Sequence, residues 1–218
     1  DSTIEAASGI ATELAVGASG DDDGASGAGA IWVLSLLPDG SVASHSKISM
    51  TSGGFGGSIR AGDGFATSLA SPGDIDGDGI VDLAAGAPQT SSSTGAVWIL
   101  FLNANGTVSG QVEIGSGGAG GWSPPELGGF DNFGCAVSNL GDLNGDGVVD
   151  LAVGAQRDGE VGLGIHGALW LLFLEQDGTV LDYERISAAT PELSGLDVGD
   201  FFGSGIALLG DQNGDGVD

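Results

Sequence analysis

The stretch Gly141–Ala155, GDLNGDGVVDLAVGA, decides the fold: an acidic, glycine-punctuated loop runs directly into a short apolar strand. The pattern recurs. Gly73–Ala87 reads GDIDGDGIVDLAAGA, residues 210–218 read GDQNGDGVD, and Glu13–Ala18 reads ELAVGA, the tail of the same pattern without its acidic head. The chain is a tandem repeat, and the repeated element has the make-up of a metal loop.

Oxygens at alternate positions, Asp74, Asp76 and Asp78, point inward if the chain curls around a centre, and Asp82 can close the ring. The second copy offers Asp142, Asn144, Asp146 and Asp150, and the third Asp211, Asn213 and Asp215. Gly77 and Gly79, like Gly145 and Gly147, permit the φ > 0 turns such a curl needs, and the carbonyls of Ile80, Val148 and Val217 can add a further ligand. This all-oxygen set suits Ca2+; zinc and copper prefer nitrogen and sulfur, which these loops lack. An EF-hand is excluded, because the twelfth positions are Ala85 and Val153 and a β-like run follows where a helix should.

Composition narrows the rest. With 30 acidic against 4 basic residues, the formal charge of −26 disfavours nucleic acid and anionic membranes as partners. Glycine is 44 of 218 residues, yet 41% hydrophobic content in regular strand-like runs argues against disorder and for an all-β chain. Cys135 is the single cysteine, so no intrachain disulfide is available, and its expected role is a small buried residue. No apolar run is long enough to span a bilayer as a helix and no signal peptide opens the chain.

Phe65, Phe133 and Phe202 stand 68 and 69 residues apart, as do Asp74, Asp142 and Asp211, which sets the period. Each period reads as four strands. The first follows the Phe, as in Phe133–Leu140, and the second is the run after the loop's last acid, Leu151–Ala155. The third is apolar on both faces and carries Trp32, Trp98 and Trp170 in Ala30–Leu37, Ala96–Leu102 and Ala168–Leu174. Hairpin turns at Asp39-Gly40, Asn105-Gly106 and Asp177-Gly178 lead to a fourth strand with Ile48, Ile114 and Ile186. Asn105-Gly106-Thr107 fits a glycosylation acceptor, but Asn105 reads as the turn residue that Asp39 and Asp177 supply elsewhere. Asp21, Asp22, Asp23, Asp158 and Glu160, in the variable loops between second and third strands, read as solvated acids rather than a second cation site.

Four antiparallel strands per unit describe a propeller blade. Phe133-Gly134, the loop GDLNGDGVVDLAVGA and Gly167-Ala168-Leu169-Trp170 together resemble the FG-GAP repeat, the blade unit of integrin α-subunit propellers and of secreted bacterial repeat proteins; Gly86-Ala87-Pro88 spells the GAP. The resemblance runs from Glu13 onward, and the long period and D-G-T-V turn are closer to the bacterial arrays. It implies Ca2+ at the acidic loops, on Asp74, Asp76, Asp78, Ile80 and Asp82 and on Asp142, Asn144, Asp146, Val148 and Asp150. Ala66 departs from the Gly of FG, and Gln156 from the Pro of GAP. The first copy has Glu5, Ala7 and Gly9 where ligands belong, so no calcium is expected there.

The expected organisation is an arm at residues 1–12, a partial repeat at 13–52 lacking its first strand and loop, repeats at 53–120 and 121–190, and the start of another at 191–218. The expected role is a calcium-stabilised extracellular structural or adhesive protein, self-associating head to tail into a filament or larger array, with Glu13 placed to complete a calcium loop of another copy. The alternative is a fragment of a ligand-binding propeller, or a module attached to a secreted enzyme; a protein or glycan ligand would be met by the variable loops. Catalysis is not expected: His45 and His166 fall at unrepeated positions and read as loop residues, and no nucleophile elbow is present.

Overall fold

The computed structural model describes residues 12–115, 122, 124–160, 164–193 and 195–210. Three antiparallel sheets follow one another along the chain. The first contains β1 (Thr12–Ala18), β2 (Ala30–Leu36) and β3 (Val42–Ile48). The second contains β4 (Ser68–Gly73), β5 (Asp82–Ala87), β6 (Ala96–Leu102) and β7 (Val108–Gly115). The third unit runs β8 (Phe133–Gly141), β9 (Asp150–Ala155), a small separate hairpin of β10 (Gly159–Glu160) and β11 (Gly164–Ile165), then β12 (Ala168–Leu174) and β13 (Val180–Ser187). Strand order is sequential in each sheet, β8-β9-β12-β13 in the third, as a propeller blade requires.

Residue type sets each strand's place. β5 and β9 are small and apolar, DLAAGA and DLAVGA, and every residue in them is buried between neighbouring sheets. β6 and β12 carry the large side chains, while β3 and β13 turn polar residues to solvent. Register places the three tryptophans equivalently: Trp32 opposite Val16 and Lys47, Trp98 opposite Ala85 and Glu113, Trp170 opposite Val153 and Arg185. At the hairpin turns, Oδ1 of Asp39, Asn105 and Asp177 accepts from the backbone N–H of Ser41, Thr107 and Thr179 at 2.9, 3.1 and 3.0 Å. Asn105 is thus the turn residue its neighbours suggested.

What joins one unit to the next is a glycine-lined seam. The Phe that opens each unit donates its backbone N–H to a carbonyl of the unit before: Phe65 to Ala28 at 2.9 Å, Phe133 to Thr94 at 3.0 Å, Phe202 to His166 at 2.8 Å. The backbones touch so closely that a Cβ on Gly29, Gly95 or Gly167 would overlap the carbonyl of that Phe. A Cβ on Gly86 or Gly154 would likewise overlap the carbonyl of Gly134 or Gly203, the residue after the Phe. Phe65 and Phe133 are fully buried, and an aromatic ring from the preceding connection covers each: Phe55 lies 5.1 Å from Phe65, and Trp122 5.4 Å from Phe133. Two apolar clusters result, one between each pair of adjacent sheets.

Two expectations need correcting. His45 is not in a loop: it lies on β3, where its ring stacks 5.3 Å from Trp32. Cys135 is only half-buried, with its Sγ directed at the Gly154 carbonyl, because it sits on the seam rather than in a cluster.

The seam yields a stability test. Gly154→Ala is expected to cost at least about 3 kcal/mol, since backbone must move to admit the methyl group, whereas Gly20→Ala, with nothing near its Cβ, stays within about 0.5 kcal/mol of wild type in urea melts.

Candidate metal centre

Each acidic loop is folded by its own first carboxylate. Asp74 Oδ1 accepts the N–H groups of Gly77 and Asp78 at 2.8 and 3.0 Å, and Oδ2 accepts that of Gly79 at 2.8 Å. Asp142 repeats this with Gly145, Asp146 and Gly147 at 2.7, 2.9 and 2.9 Å. The curl holds because Gly77, Gly79, Gly145 and Gly147 all take positive φ, between 79° and 92°.

The result in the second unit is a tight acidic group. One oxygen from each of Asp74, Asp76 and Asp78 lies within 4.8 Å of the others, and all three side chains are exposed. The salt bridges among the described residues go elsewhere, to Asp21, Asp23 and Asp158. Oxygens held at about 2.4 Å from a calcium ion lie no more than about 4.8 Å apart, so this donor set fits such an ion without a large rearrangement. In the third unit Asn144 donates from Nδ2 to Asp146 Oδ2 at 2.7 Å, so the amide relieves one of the charge repulsions.

The ninth-position acids stand apart from these exposed groups. Asp82 is buried, with Oδ2 accepting from Ile75 N–H at 2.8 Å and Oδ1 from Leu102 N–H at 3.1 Å. Asp150 does the same with Leu143 at 2.8 Å and Leu174 at 3.3 Å. Each carboxylate therefore ties its loop to the end of the third strand. Burial raises the Asp82 carboxyl above the usual range, the two N–H groups oppose that, and the charges of Asp76 and Asp74 add to it. Asp150 is raised too, by burial first. Val148 packs into one apolar cluster and Ile80 against the other, so the residues whose carbonyls were expected to help also anchor the loop. The expected ligands Asp211, Asn213, Asp215 and Val217 lie outside the described residues, as do Glu5, Ala7 and Gly9.

Two features escaped the sequence reading. Asp158 is not solvated: it is fully buried and paired with Arg185, whose Nε donates to Oδ2 at 3.1 Å while its guanidinium lies 5.7 Å from the Trp170 ring. Asp21 and Asp23 clamp Lys47 at 2.8 and 2.6 Å in the same way, with Lys47 over Trp32. The second unit lacks both halves, with Glu113 at the basic position opposite Trp98, and the signal was there: an acid in the loop accompanies a base on the fourth strand. The other feature is an Asp two residues before each seam Phe. Asp63, Asp131 and Asp200 accept backbone N–H groups from Arg60, Gly128 and Asp197 at 2.7, 2.6 and 2.8 Å, and their spacing of 68 and 69 follows the period.

A family model, the FG-GAP repeat, matches residues 65–100 and 133–172, each running from the seam Phe into the tryptophan strand. The chain carries FG-GAP repeats. Integrin alpha-PS2 of Drosophila melanogaster is 35% identical over 125 residues, 50% of this chain and 8% of its own length. Integrin alpha-6 of Gallus gallus is 37% identical over 91 residues, 39% of this chain and 8% of its own. Integrin alpha-7 of Rattus norvegicus is 33% identical over 147 residues, 64% of this chain and 12% of its own. The chain thus spans only 8% to 12% of the length of these relatives.

The raised carboxyls set a pH dependence. Burial pushes Asp131 up to about 6, the Gly128 N–H opposing and Asp158 adding to the rise. A carboxyl whose folded pKa exceeds its unfolded value near 4 binds its proton longer in the folded state, so stability falls as pH rises between about 4 and 6. In EDTA, the thermal midpoint is expected to fall across that window, and Asp131→Asn to flatten the fall and raise the midpoint at pH 7.

Proposed function

We propose that this chain is a calcium-stabilised, extracellular FG-GAP repeat module with a structural or adhesive role, whose copies join head to tail, and that it is not an enzyme. The observation that carries the reading is the convergence of Asp74, Asp76 and Asp78 within 4.8 Å, in a loop that the next unit repeats on Asp142, Asn144 and Asp146. Three neighbouring carboxylates repel one another until a cation sits among them, and calcium at millimolar concentration is an extracellular condition. When bound, the ion supplies positive charge to the exposed group; Asp82 and Asp150 fasten the loop to the sheet. Among the described residues no helix is long and apolar enough to cross a membrane. The histidines are occupied structurally, His45 against Trp32 and His166 with Nδ1 at 3.1 Å from the Gly164 carbonyl.

The integrin likeness favours a second reading, in which the module belongs to a ligand-binding propeller. Exposed Ile165 on β11, with Val198 and Phe201 on the connection leading to the third seam, would then meet a protein or glycan.

Calcium at about ten times a Kd of about 0.1 mM stabilises each site by about 1.4 kcal/mol, so two sites raise the melting midpoint by roughly 5–10 °C over EDTA. Asp146→Ala is expected to remove about half of that rise, while Asp22→Ala, which loses only an exposed bond from Gly27 N–H, leaves it intact. An identical midpoint in calcium and EDTA overturns the cation reading.

A further inference from the structure

The hairpin between β6 and β7 holds a motif that its part in the turn does not use up. Of the six asparagines in the chain, only Asn105 opens an Asn-X-Ser/Thr triplet, Asn105-Gly106-Thr107. It stands at the tip of the turn and is exposed, as is Ala104 before it.

What the turn asks of this position is one oxygen. Asp39, Asn105 and Asp177 each present Oδ1 to the backbone N–H two residues on, and each also accepts the hydroxyl of that residue: Ser41 at 2.6 Å, Thr107 at 2.7 Å and Thr179 at 2.6 Å. A carboxylate serves this purpose better than an amide, because the two donors stabilise its charge. Those bonds, the hydroxyl's first, hold Asp39 and Asp177 below the usual carboxylate range. The second unit gives that advantage up, and what it gains is an NH2 group.

The orientation of the amide is fixed by its donors. A backbone N–H can donate only to oxygen, so Oδ1 is the atom against Thr107 and Nδ2 is the other. Among the described residues this Nδ2 has no hydrogen-bond partner. Asn103, two residues earlier, spends its own Nδ2 on the Thr107 hydroxyl at 3.0 Å, which leaves the hydroxyl proton for Asn105. Amide and hydroxyl of the triplet are thus in contact, at the surface, with the amide nitrogen unused. Ser44, His45 and Ser46 of β3 line a small depression of about 70 Å³ together with Asn105, so a hydrated substituent there meets polar side chains.

We infer that Asn105 is a site of N-linked glycosylation, its Nδ2 carrying an oligosaccharide at the tip of the β6–β7 hairpin. This rests on the extracellular part of the proposed function, because the transfer takes place on exported chains, and not on calcium or on head-to-tail joining. The donor class is an oligosaccharide held on a polyisoprenyl pyrophosphate. A bond forms between Nδ2 and the anomeric carbon, the bond from that carbon to the pyrophosphate oxygen breaks, the lipid pyrophosphate leaves with its electron pair, and the amide gives up one proton. Oδ1 takes no part in the new bond, so the sugar and the turn do not compete for the same atom.

Mass spectrometry tests the site. Secreted from a mammalian cell line behind an added leader peptide, the wild-type chain is expected to lose mass in one discrete step when treated, without denaturation, with an amidase that releases N-linked glycans, leaving aspartate at position 105 in the peptide map. Asn105→Asp, which copies the twin turns, and Thr107→Val are expected to show no such step, and Asn105→Asp to keep the urea midpoint of the untreated fold. A secreted wild-type chain without sugar at Asn105, or a step that persists in Asn105→Asp, overturns the inference. The protein taken from its own source separates the two readings. Recovered outside the cell without sugar at Asn105, it overturns this inference alone; recovered inside the cell, it overturns the extracellular reading and this inference with it.

Discussion

The glycine seam is the constraint on which everything else depends. Because Gly95 and Gly86 have no side chains, the Phe133-Gly134 backbone can lie directly against the preceding unit, and only then does the Phe133 ring reach the pocket under Trp122 and Trp170. The seam fixes where the first strand begins. That in turn fixes where the acidic loop emerges, and Asp82 or Asp150 locks the loop to the third strand's end. Acidic loop, sheet and inter-unit contact are therefore one construction, repeated at a period of 68 or 69 residues.

Charge is distributed along the same lines. Two of the four basic side chains, Lys47 and Arg185, sit over tryptophans and neutralise acids of the second-to-third-strand loops. The acidic loops have no such partner among the described salt bridges. The protein thus separates two kinds of carboxylate, those paired with its own cations and the exposed group of Asp74, Asp76 and Asp78.

Much of this was legible in advance because repetition supplied an internal check. The strand positions, the hairpin turns and Asn105 as a turn residue all came from matching offsets, and the structure has them there. What failed to show was pairing across strands. That Asp158 would be buried against Arg185 depends on Arg185 lying opposite Trp170, a fact of register rather than of local composition. His45 was misplaced for a related reason: VASHSKI is polar, and a polar outer strand looks like a loop until its pairing with β2 is known. The tripled Asp before each seam Phe was visible in the period but carried no recognised chemistry, since its work is to cap a turn.

One substitution on the seam has a mechanical meaning. At the equivalent of Gly134 and Gly203 the second unit has Ala66, held at φ 65° where the glycines take 86° and 84°. A left-handed alanine costs about 1–2 kcal/mol that glycine does not. The junction between the first and second units therefore closes with less margin than its twins. Of the three junctions, that one is expected to open first on heating, its margin narrowed by a single methyl group.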